Sequence, residues 1–181
     1  ISKYAVTVRT REELAVTIKK AFAIAQTGKP GVVVVDLPKD NQQALGSDAY
    51  PETAEVLEAA SGPSTCREQV DMVYEYLDKA ERPLFLLGGG VNISHANREM
   101  VKLVERTGIP VVSTIMGKGA VPTGHPLYIG NIGIHGSYAA NTAVSECDLL
   151  IAIGVRFNDR VTGKVSEFAK NAVVIRIDID P

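Results

Sequence analysis

Residues 130–164, GNIGIHGSYAANTAVSECDLLIAIGVRFNDRVTGK, string together a glycine-hinged loop, a small-residue helix, an apolar strand and an arginine-bearing loop. Within them Asp148 heads a continuous apolar run to Ile153 that stops at Gly154, the pattern of a strand covered on both faces in a parallel sheet. Open α/β sheets bind ligands in the loops at the carboxyl ends of such strands. Arg156 and Arg160 lie just past this strand end, and their planar guanidiniums match phosphate oxygens. Upstream, Gly133 and Gly136 flank His135 where backbone can approach a ligand closely, and Ser137 is placed to cap a helix whose free amides favour an anion. The same residues admit a plainer reading, with the arginines as surface ion-pair formers and the glycines as turn formers.

Strands and helices alternate on both sides of this stretch. Val70, Val73, Leu77 and Ala80 mark a helix, residues 83–87 (PLFLL) a strand, and Ala96, Met100, Leu103 and Val104 a second helix. Strands at 109–113 and 172–179 complete the pattern, which implies an α/β fold with a doubly wound parallel sheet. Nearer the start, Thr10 and Glu13 have capping-box spacing, and Leu14, Ile18, Ala21, Phe22 and Ala25 recur on one helical face until Gly28. The strand VVVVD at 32–36 comes next. This helix and strand cannot bury both their faces alone, and the run reads as belonging in the middle of a sheet. From 41 to 64 the composition turns polar, with Ala, Ser, Gly and Pro and no periodicity, as in an interdomain linker. The expected organisation is therefore a closing segment at 1–40, a linker at 41–64 and a central domain at 65–181.

Composition narrows the function. The 181 residues carry a formal net charge of −2 with a sequence pI near 6.0, so there is no basic footprint for nucleic acid or an anionic membrane surface. No apolar stretch is long enough to span a bilayer. Cys66 and Cys147 form no CxxC pair, which suits a reduced, cytoplasm-like setting. His95, His125 and His135 are too scattered for a metal site, and no Ser-His-Asp or Cys-His arrangement is visible, so no catalytic residue is assigned. Gly88, Gly89 and Gly90 sit between the strand PLFLL and a helix. They half match a dinucleotide fingerprint, and a tight strand-to-helix turn explains them equally. Asp178 ends the last apolar run, where an acceptor can reach a ribose hydroxyl or can cap a helix beyond Pro181.

The run from Gly133 to Lys164, the adjoining FAKNAVVIRIDIDP, and the earlier segments PLYIGNIGIHG, IPVVSTIMGKGAVP and GKPGVVVVDLPKD together resemble acetolactate synthase large subunits, thiamine-diphosphate enzymes, in the same order. The resemblance covers nearly the whole chain and is weakest at 41–64. It implies a Rossmann-like central domain that binds FAD, preceded by the helix-strand end of an amino-terminal thiamine-binding domain. Carried over residue by residue, it implies flavin contacts from Gly88, Gly89 and Gly90, from Thr114, Ile115 and Met116, and from Gly133, Ile134, His135 and Gly136. Further contacts are implied at Gly154, Val155, Arg156, Asn158 and Arg160, and at Asp178 and Ile179. Many relatives read RFDDR where this chain has Asn158, so a carboxylate is replaced by an amide of the same size.

For an intact enzyme the resemblance implies condensation of two pyruvates, or of pyruvate with 2-ketobutyrate, with loss of CO2, in branched-chain amino acid synthesis. Thiamine diphosphate and Mg2+ would be held outside this chain, which has no GDG-type motif and begins after the position of the family's activating glutamate. The segment alone is therefore expected to be non-catalytic. Implied partners are the remaining domains of the same subunit, further copies in a homo-dimer or homo-tetramer, and a small regulatory subunit, in the cytoplasm or, in a eukaryote, a plastid or mitochondrion. The alternatives are another flavin-containing thiamine enzyme, of the glyoxylate carboligase or pyruvate oxidase type, or a non-catalytic nucleotide-binding module. The segment GVRFNDRVTGK favours acetolactate synthase over the first, and the unpartnered early helix and strand argue against the second.

Overall fold

The computed structural model describes residues 1–46, 49–52 and 65–180. The chain divides into two compact units, residues 1–64 and 65–179. In the first, strand β1 (Tyr4–Thr7), helix α1 (Glu13–Gln26) and strand β2 (Val33–Asp36) form a βαβ unit, with β1 and β2 parallel and Tyr4 opposite Val33. Helix α2 (Lys39–Gln43) comes after β2, held by Asn41 Nδ2 donating to the Val8 carbonyl at 2.9 Å. Strand β1 is not among the strands expected from sequence, although its run YAVT is rich in strand-favouring Tyr, Val and Thr, and α2 occupies the start of the stretch expected to be linker. The rest of that linker, at 47–48 and 53–64, lies outside the described residues. The sheet is only two strands wide, and apolar side chains stay exposed on this unit: Phe22 is 65% accessible, and Val32 and Val34 are also open.

The capping box expected at Thr10 and Glu13 does not form. Glu12, at the helix entry, is already helical (φ −65°, ψ −30°), so a turn extends upstream and Thr10 offers its carbonyl to the Glu13 amide at 3.3 Å. The Glu13 carboxylate instead accepts from the Arg9 amide at 3.3 Å.

The second unit is an α/β domain built on a five-stranded parallel sheet. Its elements are α3 (Arg67–Lys79), β3 (Pro83–Leu87), α4 (Gly89–Ile93), α5 (Asn97–Thr107), β4 (Val111–Ser113), β5 (Tyr128–Asn131), α6 (Tyr138–Glu146), β6 (Leu149–Ile153), α7 (Asp159–Thr162) and β7 (Val173–Ile177). The strand order β5-β4-β3-β6-β7 is that of a doubly wound fold, with the chain reversing direction between β3 and β6. Side chains alternate across a strand, so the central run PLFLL supplies two cores at once. Leu84 and Leu86 pack on one face with Val112, Ala140, Val144, Leu150 and Ala152. Phe85 and Leu87 pack on the other with Val91, Met100, Val104, Val111, Leu149 and Ile151. Burial of both faces is why the strand shows no polar alternation. Two expected strands are shorter in the structure, β4 beginning after Pro110 and β7 ending at Ile177. The edge strand β5 has no counterpart among the strands expected from sequence, because its four residues YIGN lack an apolar run.

Asp148 ties the central pair together. Its carboxylate accepts from the amides of Glu81 and Arg82, at 2.7 and 2.9 Å, and so fixes the entry of β3 against that of β6, with Pro83 opposite Leu149. Burial raises the pKa of this carboxyl, but the amide hydrogen bonds outweigh it and hold the group below the usual carboxylate range. Beside it the buried thiol of Cys147 donates to the Val144 carbonyl, and burial, with the neighbouring Asp148 charge, pushes its pKa up to about 11. Among the described residues no helix is long and apolar enough to cross a membrane.

Candidate functional site

In a parallel sheet every strand ends on the same edge, so the loops beyond the strands are brought together whatever their separation in sequence. Every candidate residue named from the sequence lies just past such a strand end, in the loop or at the start of the short helix that follows it. Gly88, Gly89 and Gly90 follow β3, and Thr114, Ile115 and Met116 follow β4. Gly133, Ile134, His135 and Gly136 follow β5. Gly154, Val155, Arg156, Asn158 and Arg160 follow β6, and Asp178 and Ile179 follow β7.

The two central loops meet backbone to backbone. The Gly88 amide donates to the Ile153 carbonyl at 2.9 Å and the Gly90 amide to the Gly154 carbonyl at 3.0 Å, while the Gly154 amide donates to the Ile177 carbonyl at 2.8 Å. A Cβ on Gly88 would lie 2.0 Å from the Gly154 oxygen, and one on Gly90 2.6 Å from the Gly154 Cα. Packing at the switch point thus accounts for glycine at 88, 90 and 154, and two of the turn's three amides are committed to protein carbonyls. A Cβ on Gly89 would face the next loop instead, 3.1 Å from the Met116 Cβ. That loop is a single 3-10 turn capped by the Thr114 hydroxyl, which accepts from the Gly117 amide at 3.1 Å. Asn92 Nδ2 holds it through the Met116 carbonyl at 2.9 Å.

Exposed apolar side chains crowd this edge. Ile115 is 71% accessible, Met116 69% and Ile134 69%. Large apolar groups this exposed are the kind that a ligand or partner can cover. Arg156 and Arg160 are exposed, and among the described residues neither forms an ion pair. His135 is exposed and lines an open groove of about 390 Å³ with Lys118, Tyr128 and Asn131. Asp178 is less available than its place suggests, its side chain being 9% accessible with Arg176 3.7 Å away.

Asn158 acts as a helix cap, its side-chain oxygen accepting from the Val161 amide at 3.1 Å to start α7. Asn and Asp cap a helix about equally well, so the amide preserves the local fold that a carboxylate would give there. One residue of the site has no place among the candidates named from sequence. Asn141, on the first turn of α6, bonds both the amide and the carbonyl of Gly133. Its only signal is a poor helix former inside a helical run, which small neighbours such as Ala139 and Ala140 obscure.

Residues 70–181 match the thiamine pyrophosphate enzyme central domain. The chain belongs to the thiamine pyrophosphate enzyme family. The match spans nearly all of the second unit of this thiamine pyrophosphate enzyme domain. The chain is 47% identical, over its full length, to a probable acetolactate synthase large subunit from Methanocaldococcus jannaschii, of which it covers 31%. It is 43% identical over 99% of its length to the acetolactate synthase isozyme 2 large subunit of Escherichia coli, covering 32% of that protein. It is also 41% identical over its full length to the acetolactate synthase large subunit of Cyanidium caldarium, again covering 32%. The chain thus spans about a third of the length of these relatives.

Proposed function

We propose that the carboxyl-terminal edge of the five-stranded sheet binds FAD, and that the protein to which this chain belongs is the large subunit of an acetolactate synthase. The observation that carries the flavin assignment is the pairing, on one edge, of two guanidiniums without carboxylate partners among the described residues and three exposed apolar side chains, Ile115, Met116 and Ile134. A flavin dinucleotide presents those two chemistries, an anionic diphosphate and a fused apolar ring. The residues fit the group: Arg156 and Arg160 would meet phosphate or ring carbonyls, and the apolar trio would lie against the ring. In an acetolactate synthase, as the resemblance implies, FAD would supply structure rather than net redox chemistry.

The synthase assignment is supported by identity over the whole chain to proteins named acetolactate synthase large subunit. In this reading the intact protein joins two 2-keto acids with loss of CO2, and thiamine diphosphate and Mg2+ are held by segments other than this one. The present segment contributes cofactor binding and no catalytic group. The remaining domains of the subunit, further copies of it and a small regulatory subunit are its partners, in the cytoplasm or in a plastid or mitochondrion of a eukaryote.

The test is to purify the intact protein, look for bound flavin by its visible absorbance, and titrate the stripped protein with FAD. Arg156→Ala is expected to weaken binding by about 1.5–3 kcal/mol, the worth of a hydrogen bond to a charged group. A colourless, active synthase indifferent to added FAD would overturn the flavin assignment, and an unchanged dissociation constant in the variant would leave Arg156 a solvated surface charge.

A further inference from the structure

Gly133 is held from two sides. Its amide donates to Asn141 Oδ1 at 3.0 Å and its carbonyl accepts from Asn141 Nδ2 at 3.1 Å, closing a ring of two hydrogen bonds between one side chain and one peptide residue. Its backbone sits at φ +103°, a conformation open to glycine and little else. A Cβ there would stand 2.6 Å from the Arg160 carbonyl oxygen, and the next amide, Ile134, donates to that same oxygen at 3.1 Å. One asparagine thereby fixes the loop after β5, and through Ile134 that loop is fastened to the arginine-bearing loop after β6.

We propose that Asn141 is a positioning residue that locks these two loops into the geometry in which they receive the flavin, an inference that rests on the FAD assignment above. Three observations converge on it. Asparagine is a poor choice within a helix, because its short polar side chain competes for nearby backbone groups, so its presence on the first turn of α6 calls for a compensating role. Both hydrogen-bonding ends of its amide are used, and both on one residue of a different loop. Glycine in free loops has more conformations to lose than any other residue, so a clamp on Gly133 pre-organises the segment that presents Ile134 and His135. Asn141 does not have to touch the ligand to act in this way. Removing it should loosen binding while leaving the fold intact, because both sheet cores lie elsewhere.

The experiment compares the intact wild-type protein with Asn141→Ala, Asn141→Asp and, as a control on the next turn of the helix, Ser145→Ala, whose hydroxyl bonds only the Asn141 carbonyl. The readouts are amide hydrogen exchange of the flavin-free protein, melting temperature, FAD titration and the shape of the bound flavin's visible spectrum. Asn141→Ala is expected to speed exchange in residues 132–137 and 158–163, and to weaken FAD binding about tenfold, as loss of one or two neutral hydrogen bonds would. It should alter the flavin spectrum and leave the melting temperature near that of Ser145→Ala. Asn141→Asp keeps the acceptor for the Gly133 amide but turns a carboxylate oxygen toward its carbonyl, so it should fall between wild type and Ala. Unchanged exchange in both segments would overturn the clamp, and faster exchange with unchanged FAD affinity would overturn its positioning role. If the wild-type protein binds no FAD, the flavin assignment falls and takes the positioning role with it, while the exchange data still decide whether the clamp exists.

Discussion

Gly88→Ala puts the packing of the switch point to a direct test. Gly88 has φ −107°, which any residue adopts, so the substitution introduces no backbone strain and its whole effect is steric. The new methyl would lie 2.0 Å from the Gly154 oxygen, 2.6 Å from its carbonyl carbon and 2.8 Å from the Val155 Cα, all of them backbone atoms that cannot rotate aside. To restore an ordinary contact the loop after β6 must retreat by roughly 1 Å or more. That movement pulls directly on the hydrogen bonds from Gly88 to Ile153, 2.9 Å, and from Gly90 to Gly154, 3.0 Å. One or two hydrogen bonds at about 0.5–1.5 kcal/mol each, added to about 1–3 kcal/mol for overpacking, give a destabilisation of about 1.5–6 kcal/mol. That is a large fraction of the roughly 5–15 kcal/mol that holds a typical domain folded.

Two controls separate sterics from conformation. Gly124→Ala meets nothing within 4 Å and has no left-handed backbone, so it should change stability by less than about 1 kcal/mol. Gly119→Ala also meets nothing within 4 Å but sits at φ +88°, and should cost about 1–2 kcal/mol. The assay is urea unfolding followed by far-UV circular dichroism, since the chain has no tryptophan to report by fluorescence. If Gly88→Ala unfolds within about 1 kcal/mol of Gly124→Ala, the two loops part easily and their contact is not what fixes the edge.

Other substitutions probe single interactions. Asn158→Asp should be close to neutral and Asn158→Ala should cost about 1 kcal/mol, because the oxygen that caps α7 survives only the first; thermal unfolding of the pair decides. Asp148→Asn should destabilise at neutral pH. The folded-state pKa of Asp148 is depressed, so its contribution is present above the unfolded pKa and is lost as pH falls through the folded one. Wild type and variant should therefore converge in strong acid, and a stability gap independent of pH would contradict this account. With its pKa pushed to about 11, Cys147 should stay unlabelled by a thiol reagent near neutral pH while exposed Cys66 reacts, and should become labelled only on unfolding. Equal labelling rates in the native protein would show that the Cys147 pocket opens readily.

What the sequence determined by itself was set by local chemistry. The apolar runs at 83–87 and 149–153 read as strands buried on both faces and are so, and Ser137 stood where a helix cap was needed and caps α6. Tertiary structure decided everything that depends on a partner distant in the chain. Strand β5 is too short and too polar to be recognised alone, and it exists because Tyr128, Gly130 and Asn131 find Val111, Val112 and Ser113 to pair with. The Thr10 box failed because a turn upstream satisfied the same amide first. Gly88 and Gly90 half matched a dinucleotide fingerprint and equally suited a tight turn, and it took the fold to show them packed against the Gly154 backbone, while Asn141, which carried no motif, bonds both the amide and the carbonyl of Gly133. A hydrogen bond or a steric clash between loop residues, whether near or far apart in the chain, leaves no periodicity in the sequence. It is fixed only when the parallel sheet brings all its strand ends to one edge.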